Sequence, residues 1–169
     1  MDMQRKLVLG AMVAGLTAAA PAVGAENPVY FGGGVGIQSA TGHDDGLGIA
    51  AKAGAQLDGV TPGFGVEGEL TTSLMDPEGA NGVDTSFTTL GGYATYMVPL
   101  PNRRVSLKAR LGLAWVDADP EVGGSDSDVW VSWGLGGQYR ISSQLSAFLE
   151  HTRYDSDFDQ LTGGVLVHF

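Results

Sequence analysis

Apolar and polar residues alternate with a period of two along most of the chain, and this pattern limits the fold more than any other feature of the sequence. The period is typical of β-strands, because successive side chains point to opposite faces. After residue 25, no segment keeps a helical period for about three turns. We therefore predict eight strands, each about as long as a tilted strand needs to cross a bilayer. They are Val29–Gln38, Leu47–Leu57, Phe64–Leu74, Phe87–Val98, Val105–Val116, Val129–Arg140, Leu145–Tyr154 and Leu161–Phe169.

The two faces of the predicted strands differ in polarity. On the fifth strand, Leu107 and Leu111 occupy one face, whereas Lys108 and Arg110 occupy the other. Charged residues in the middle of the strands share the parity of the polar face: Lys52, Glu67, Glu69, Lys108, Arg110, Arg140 and Glu150. A soluble barrel would turn these charges outward to water, and a membrane barrel would turn them inward. The alternation alone leaves both barrels open.

Aromatic residues on the apolar face favour the membrane barrel. An up-and-down threading places five of them near the periplasmic ends of the strands: Phe31, Phe64, Tyr96, Tyr139 and Phe169. Trp115 and Trp133 lie toward the opposite ends of their strands. Aromatic rings at one common height are typical of the girdle at a membrane interface. The apolar face is therefore predicted to point outward into lipid.

The connections between the predicted strands give the same orientation. Three of them are short: Asp58–Gly63, Pro99–Arg104 and Ile141–Gln144. They alternate with mostly longer ones: Ser39–Gly46, Met75–Ser86, Asp117–Asp128 and Asp155–Gln160. Outer-membrane barrels have short periplasmic turns and longer extracellular loops. Both chain ends are therefore expected on the periplasmic side.

The first 25 residues have the features of a cleaved signal peptide. Arg5 and Lys6 precede an uncharged apolar run from Leu7 to Ala20, and Val23-Gly24-Ala25 offers short side chains for cleavage. A membrane anchor is the alternative, but the run is short for a span and no stop-transfer signal follows it. We predict a signal peptide at residues 1–25 and one barrel domain at residues 26–169. The sequence contains no cysteine, so no disulfide stabilises this domain.

The chain is acidic, with a formal net charge of −10, which argues against a nucleic acid as its partner. The predicted loops carry acidic residues and no Lys or Arg: Asp44, Asp45, Asp76, Glu78, Asp84, Asp117, Asp119, Glu121, Asp126, Asp128, Asp155, Asp157 and Asp159. We interpret these residues as favouring solubility. The alternative is that they bind divalent cations that bridge lipopolysaccharide. Val122 and Gln160 stand where a calcium loop of the EF-hand type needs glycine, so no metal site of that type is predicted.

Five segments carry a family likeness: YFGGGVG (Tyr30–Gly36), LGGYATYMVPL (Leu90–Leu100), WGLGGQYRIS (Trp133–Ser142), SAFLEHTRYD (Ser146–Asp155) and the final GGVLVHF. They resemble the small eight-stranded outer-membrane barrels, the group of the OmpA-type transmembrane domain and the opacity-like proteins. The resemblance implies an all-β fold, an eight-stranded antiparallel up-and-down transmembrane β-barrel in the outer membrane of a Gram-negative bacterium. It also implies that the barrel-assembly machinery reads the last strand through Leu161, Val165, Val167 and Phe169. Gly163 departs from the apolar pattern of that strand.

Two functions follow for the interior of such a barrel. Eight strands enclose a lumen just wide enough for side chains, and buried charges are tolerated there only when they are paired. The seven charged residues would then form a polar plug in a barrel with a structural or surface-interaction role. The alternative is a narrow porin-like channel gated by the same salt-bridge network, which related barrels are thought to have.

A lipid-A-modifying enzyme is the third function, because some eight-stranded barrels use a Ser-His pair near the outer leaflet. His151 faces lipid on the seventh strand, but the neighbouring position on that face is Arg153 rather than a serine. His43 lies in a loop and His168 points inward at the periplasmic end. We expect no Ser-His pair, and no catalytic, cofactor or metal site. The expected partners are outer-membrane lipid, lipopolysaccharide and the assembly machinery, with divalent cations as a further candidate.

Overall fold

The computed structural model describes residues 28–77, 84–102, 104–120 and 126–169. The predicted signal peptide lies outside these residues and stays a prediction. Eight β-strands follow one another along the chain: β1 (Val29–Ala40), β2 (Gly46–Gln56), β3 (Phe64–Met75), β4 (Thr85–Pro99), β5 (Val105–Pro120), β6 (Asp126–Arg140), β7 (Leu145–Arg153) and β8 (Phe158–His168). Each contains the core of one predicted strand. In the described ranges, no helix is long and apolar enough to cross a membrane.

The strands form one closed barrel in which each strand pairs with its neighbours in chain order. All eight pairings are antiparallel, and β8 closes the ring on β1 through pairs such as Phe31 with Val167. Closure leaves no free sheet edge along the paired part of the wall. The predicted eight-stranded antiparallel up-and-down barrel is confirmed.

The barrel has two ends, which we name by their connections. At the loop end β1 leads into β2, β3 into β4, β5 into β6 and β7 into β8; at the turn end lie the other three connections and both ends of the barrel chain. The predicted alternation of short turns with longer loops is wrong in detail, because 57–63 is longer than 154–157. Much of the predicted Asp117–Asp128 loop is strand, since β5 and β6 stay paired as far as Ala118 and Asp126. Backbone hydrogen bonds form this ladder, so acidic side chains do not interrupt it.

Local sequence explains several of the connections. Gly63 has a φ of 83°, a conformation that glycine adopts without strain, and its N–H donates to the Asp58 carboxylate at 2.9 Å. The Asp155 carboxylate accepts from the backbone N–H groups of Asp157 and Phe158, at 2.6 and 2.7 Å. Asp and Asn side chains commonly close turns in this way. These contacts fix the entries into β3 and β8.

Burial alternates along the strands in the sense of a membrane barrel. Large apolar side chains on the outer face are exposed, for example Leu111 at 60% and Leu135 at 57%. Lys52, Arg110 and Glu150 on the inner face are at most 3% exposed. A water-soluble barrel would have the reverse distribution. The charged face therefore lines the lumen and the apolar face forms the outer wall.

Candidate functional site in the barrel interior

The main candidate site is a group of six buried charges in the middle of the lumen. Each lies on the inward face of its strand, and each is at most 7% exposed. We call this group the lumen cluster; its members are Lys52 on β2, Glu67 and Glu69 on β3, Lys108 and Arg110 on β5, and Glu150 on β7. Three positive and three negative side chains make the cluster neutral overall. Neutrality is what burial of ionised groups requires.

The two lysines reach acidic groups on different strands. Lys52 Nζ lies 2.8 Å from Glu69 Oε2 and 3.9 Å from Glu67 Oε1, and it donates to Glu150. Lys108 Nζ donates to Glu67 and lies 3.0 Å from Glu150 Oε2. Each lysine therefore joins β3 to β7 through the lumen.

Arg110 has the largest set of partners in the cluster. Its Nη1 lies 2.9 Å from Glu67 and 3.1 Å from Glu150, and its Nη2 lies 2.6 Å from Glu69. Nη2 also donates to the Thr152 hydroxyl on β7. The planar guanidinium supplies several donors in fixed directions, which suits a position among three carboxylates.

Most of these ion pairs cross the lumen. Two pairs join adjacent strands, both from Lys52 on β2 to β3: Glu69, which faces it in the register, and Glu67. The other pairs join β2 to β7, β5 to β3, and β5 to β7, strands that are not neighbours in the sheet. The network therefore runs mostly across the lumen rather than along neighbouring strands. Eight strands enclose so narrow a lumen that long side chains meet across it.

Aromatic side chains surround the cluster and complete its hydrogen bonds. The Tyr30 and Tyr154 hydroxyls donate to Glu67 and Glu69, at 2.7 and 2.8 Å. Arg110 Cζ lies 4.1 Å from the centre of the Tyr93 ring, and Lys52 Nζ lies 4.8 Å from that of Phe148. Cation–π contacts of this kind strengthen when water is excluded. The sequence pattern did not identify these four residues as neighbours of the charges, although Tyr30, Tyr93 and Phe148 occupy inward positions of β1, β4 and β7.

Tyr154 follows the last residue of β7 and is fully buried. Burial raises the pKa of its phenol well above the ordinary value, and the neighbouring Glu69 carboxylate adds to the rise. The hydroxyl therefore stays protonated and acts as the donor to Glu69.

Glycines on the inner face leave room for these long side chains. A Cβ atom at Gly134 would lie 2.8 Å from Arg110 Nε, and one at Gly54 would lie 2.5 Å from the Tyr30 hydroxyl. At Gly112, a Cβ atom would collide with the backbone of Gly92 on β4. Gly134 thus makes space for the charged side chain of Arg110.

Apolar layers lie on both sides of the cluster. Toward the loop end, Phe87 and Phe158 stack with 4.6 Å between ring centres and pack with Ala114, Val116 and Tyr154. Toward the turn end, a second group contains Tyr30, Phe148 and Leu166. The interior is thus filled by side chains at three successive levels.

Arg140 does not join the cluster, so its assignment to the network is wrong. It shares the inward parity, but it is the last residue of β6 at the turn end and is exposed to water. It forms no ion pair with an acidic residue of the described ranges; it lines a cleft of about 490 Å³ with Asp58, Met97 and Ser106 among its neighbours. Solvation at the mouth of the barrel replaces pairing for this charge.

Comparison with known proteins bears directly on this architecture. Residues 8–169 match the family model described as outer membrane protein beta-barrel domain. The chain belongs to this family. Its fold and its family together make it an outer-membrane β-barrel protein. Because short turns lie on the periplasmic side of such barrels, we call the turn end the periplasmic end and the loop end the extracellular end. No curated protein sequence matches the chain.

Solved structures with the same fold include three from Gram-negative bacteria. Neisserial surface protein A has a TM-score of 0.62 at 17% identity, and the match covers 85% of this chain and 97% of that one. Ail, the attachment invasion locus protein of Yersinia pestis, gives 0.56 at 17% identity with the same coverage. The N-terminal β-barrel domain of Pseudomonas aeruginosa OprF gives 0.54 at 15%, again with 85% and 97% covered. At these identities the likeness concerns the fold.

The five aromatic residues of the predicted girdle lie on the outer wall near its periplasmic end. Phe31, Tyr96, Tyr139 and Phe169 are 45–65% exposed, and Phe64 is half-buried opposite Tyr96. The Phe31 and Phe169 rings stack with 5.0 Å between their centres. On the last strand, Leu161, Val165 and Val167 face outward in one row that leads to Phe169. The recognition of this row by the assembly machinery stays a prediction.

The three histidines lie in separate places, but one of them has a serine partner that we did not expect. His168 Nε2 lies 3.0 Å from the Ser146 hydroxyl and 3.2 Å from Gln138 Nε2, inside the periplasmic end of the barrel. The expected absence of a Ser-His pair is therefore wrong. Both residues have inward parity, but Ser146 pairs with Leu166, so the contact with His168 is diagonal and depends on the register of β7 with β8. Ser146 is fully buried, so an ester or amide substrate has no access to its hydroxyl.

The acidic loop residues show no metal-binding arrangement within the part of the chain that the structure describes. No three side chains of His, Cys, Asp or Glu come together there in a way that could hold a metal ion. Glu78 and Glu121 lie outside the described residues. Asp117 and Asp119 belong to β5, so the sequence Asp117-x-Asp119 lies on an extended strand rather than in a loop.

Proposed function

We propose that this protein is a closed outer-membrane barrel with a structural or surface-interaction role. The observation that supports it best is the lumen cluster, in which charges from β2, β3, β5 and β7 meet across the lumen. Every charge in it has at least two partners of opposite sign. Separating such pairs in a medium of low dielectric constant is costly, so the cluster holds the lumen closed.

A narrow gated channel is the second candidate function. The lumen is polar at the level of the cluster. Arg110 has three carboxylates within 3.1 Å, so its guanidinium could exchange one ion pair for another. A rearrangement of these pairs would open a path for small ions. The apolar layers on either side oppose this, because an ion would have to pass Phe87 and Phe158 on one side and Phe148 on the other.

Planar-bilayer conductance of the refolded mature protein separates the two functions. A closed barrel gives no steady single-channel events in the wild type. A channel gives events of one size, and Lys52→Gln changes that size because Lys52 lies in the lumen. Leu149→Ala is the matched control, since Leu149 lies one residue before Glu150 but faces outward. Steady events in the wild type that Lys52→Gln alters and Leu149→Ala leaves unchanged would contradict a closed barrel.

The acidic surface of the loop end argues against a role in the binding of polyanions. The solved structures include Ail of Yersinia pestis in complex with sucrose octasulfate, a heparin analogue. The loop end of this chain carries Asp45, Asp119, Asp128 and Asp157 at its exposed surface, which would repel a sulfated glycan. We infer that basic partners or divalent cations approach this surface instead. The absence of enzymatic activity remains part of the proposal.

A further inference from the structure

Three ionisable side chains stand on the outer wall, where lipid is expected. They are His151 and Arg153 on β7 and Asp159 on β8, and all three share the outward parity. The other charged residues with outward parity in the described strands, Asp117 and Asp119, lie at the extracellular end of β5. His151 instead pairs with Leu135 and Leu161 within the wall. Charge on the lipid-facing side of a barrel is unfavourable, so this group requires an explanation.

Asp159 holds the two basic groups together without satisfying them. Its Oδ1 lies 3.5 Å from His151 Nε2, and its Oδ2 lies 3.8 Å from Arg153 Nη2. Both distances exceed an ordinary hydrogen bond, and the two basic side chains are 44% and 45% exposed. The five donors of the Arg153 guanidinium thus remain available on the outside of the wall. The Trp133 ring lies beside His151, with 6.3 Å between ring centres.

The paired part of the wall ends at Arg153 on this side of the barrel, which places this residue toward the extracellular head groups. β7 ends at Arg153, whereas β6 continues to Asp126 and keeps its pairing with β5. Pairing between β6 and β7 stops at Trp133 and Arg153, where the Ser132 hydroxyl donates to the Arg153 carbonyl oxygen at 2.8 Å. β6 therefore extends beyond its last paired position with β7, and Arg153 stands at the end of the shorter strand. From this position the long arginine side chain can extend toward polar lipid groups.

Charge on the rest of the molecule makes Arg153 distinctive. The sequence has nine Lys and Arg residues, and eight of them lie elsewhere. Three belong to the lumen cluster, two lie at the periplasmic end, and three lie outside the described residues: Lys52, Lys108, Arg110, Arg104, Arg140, Arg5, Lys6 and Arg103. Among the described residues, an anionic lipid at the extracellular half of the outer wall therefore has one permanent cation to contact, Arg153.

We propose that Arg153 and His151 bind the phosphate group of a phosphorylated glycolipid in the outer leaflet. Arginine suits this ligand because its donors match two phosphate oxygens at once. Asp159 orients both basic groups, and Trp133 packs at the side where tryptophan commonly contacts the border of head groups and acyl chains. The inference rests on the outer-membrane location in the proposed function, but it is independent of whether the lumen is closed.

Lipid retention by the refolded barrel tests this site. Mature protein in phosphatidylcholine nanodiscs is mixed with diphosphoryl lipid A or with the same lipid after removal of its phosphates, and bound lipid is counted by native mass spectrometry. We expect the wild type to retain the phosphorylated form about tenfold better, the size of one charge-assisted contact. Arg153→Gln should lose this preference, and His151→Gln should reduce it. Arg140→Gln, which removes the same charge at the periplasmic end, should keep it.

Two further measurements make the result decisive. The different gel mobility of unboiled and boiled samples shows whether each variant is folded before its lipid is counted. Inorganic phosphate at millimolar concentration should not displace the lipid, because the proposed ligand is membrane-bound. Equal retention of the two lipids by the wild type, equal loss in Arg153→Gln and Arg140→Gln, or full displacement by inorganic phosphate would each overturn the proposal. None of these outcomes depends on the conductance of the barrel.

Discussion

At the scale of single residues, the lumen cluster combines large opposing energies. Removing six charges from water is unfavourable, and only a complete set of partners compensates for it. Glu150 contributes to three of the pairs, through Lys52, Lys108 and Arg110. It lies opposite Gly136 on β6, where a Cβ atom would come within 3.0 Å of the Glu150 side chain. Gly136 therefore leaves the space that the charged Glu150 side chain occupies.

Glu150→Ala should destabilise the barrel strongly. The change leaves a cluster with three positive and two negative side chains, and an uncompensated buried charge typically costs about 3–5 kcal/mol. Urea unfolding in lipid vesicles, followed by tryptophan fluorescence, measures the loss. Asp119→Ala is the control, since Asp119 is exposed and its removal should change the free energy of unfolding by less than about 0.5 kcal/mol. Equal effects of the two changes would show that the cluster is not buried.

At the scale of secondary structure, each strand separates two environments along its length. On β5, Arg110 is 3% exposed inside the barrel, and Leu111 next to it is 60% exposed outside. The strand continues past its predicted end at Val116, and the outward positions there carry Asp117 and Asp119. The strand is therefore longer than hydrophobicity alone suggests, because a period of two persists where the polarity of the outer face changes from apolar to acidic.

Leu111→Arg tests which face of β5 meets lipid. An arginine on the outer wall near the middle of the bilayer should cost roughly 2–4 kcal/mol. Leu111→Ala should be much milder, because lipid fills the space that the side chain leaves. The free energy of unfolding in vesicles distinguishes the two variants. A harmless Leu111→Arg together with a harmless Lys108→Leu would mean that inside and outside are reversed.

At the scale of the whole molecule, the last strand completes the structure. β8 pairs with β1 over eleven register positions, from Tyr30 with His168 to Ala40 with Phe158. The Phe169 N–H donates to the Val29 carbonyl oxygen at 2.9 Å, and its ring stacks on Phe31. The ring of strands is thus closed at its periplasmic rim by the final residue.

Deletion of Phe169 should leave export intact and impair closure in the membrane. We expect the shortened protein to accumulate in the periplasm and to be degraded, whereas the wild type reaches the outer membrane and migrates differently when boiled. Cell fractionation and gels of unboiled samples measure both effects. Ile141→Ala, which also shortens an exposed apolar side chain at the periplasmic end, serves as the control. Wild-type amounts of the shortened protein in the outer membrane would contradict an assembly role for Phe169.

The sequence by itself determined the number of strands, their approximate bounds and the side of the sheet on which each charge lies. These properties follow from a local rule, because a side-chain period of two assigns every residue of a strand to one face or the other. The sequence also predicted a closed barrel, because the backbone hydrogen-bonding groups of strands that face lipid must all be paired. For the same reason, the placement of Lys108 and Arg110 on one face was predictable from β5 alone, whereas its inward direction required the aromatic residues of other strands.

Only the tertiary structure decided which of these residues meet. Partners in the lumen come from strands that are not neighbours, and their choice depends on the stagger of the strands around the ring. The stagger brings Lys52 to Glu150, leaves Arg140 at the periplasmic mouth, and places Ser146 beside His168. β7 also ends before β6 does, which leaves Arg153 at the end of its strand. Parity assigns each residue to the inner or the outer face. The position of a residue along the barrel axis and around the ring is determined only when all eight strands close together.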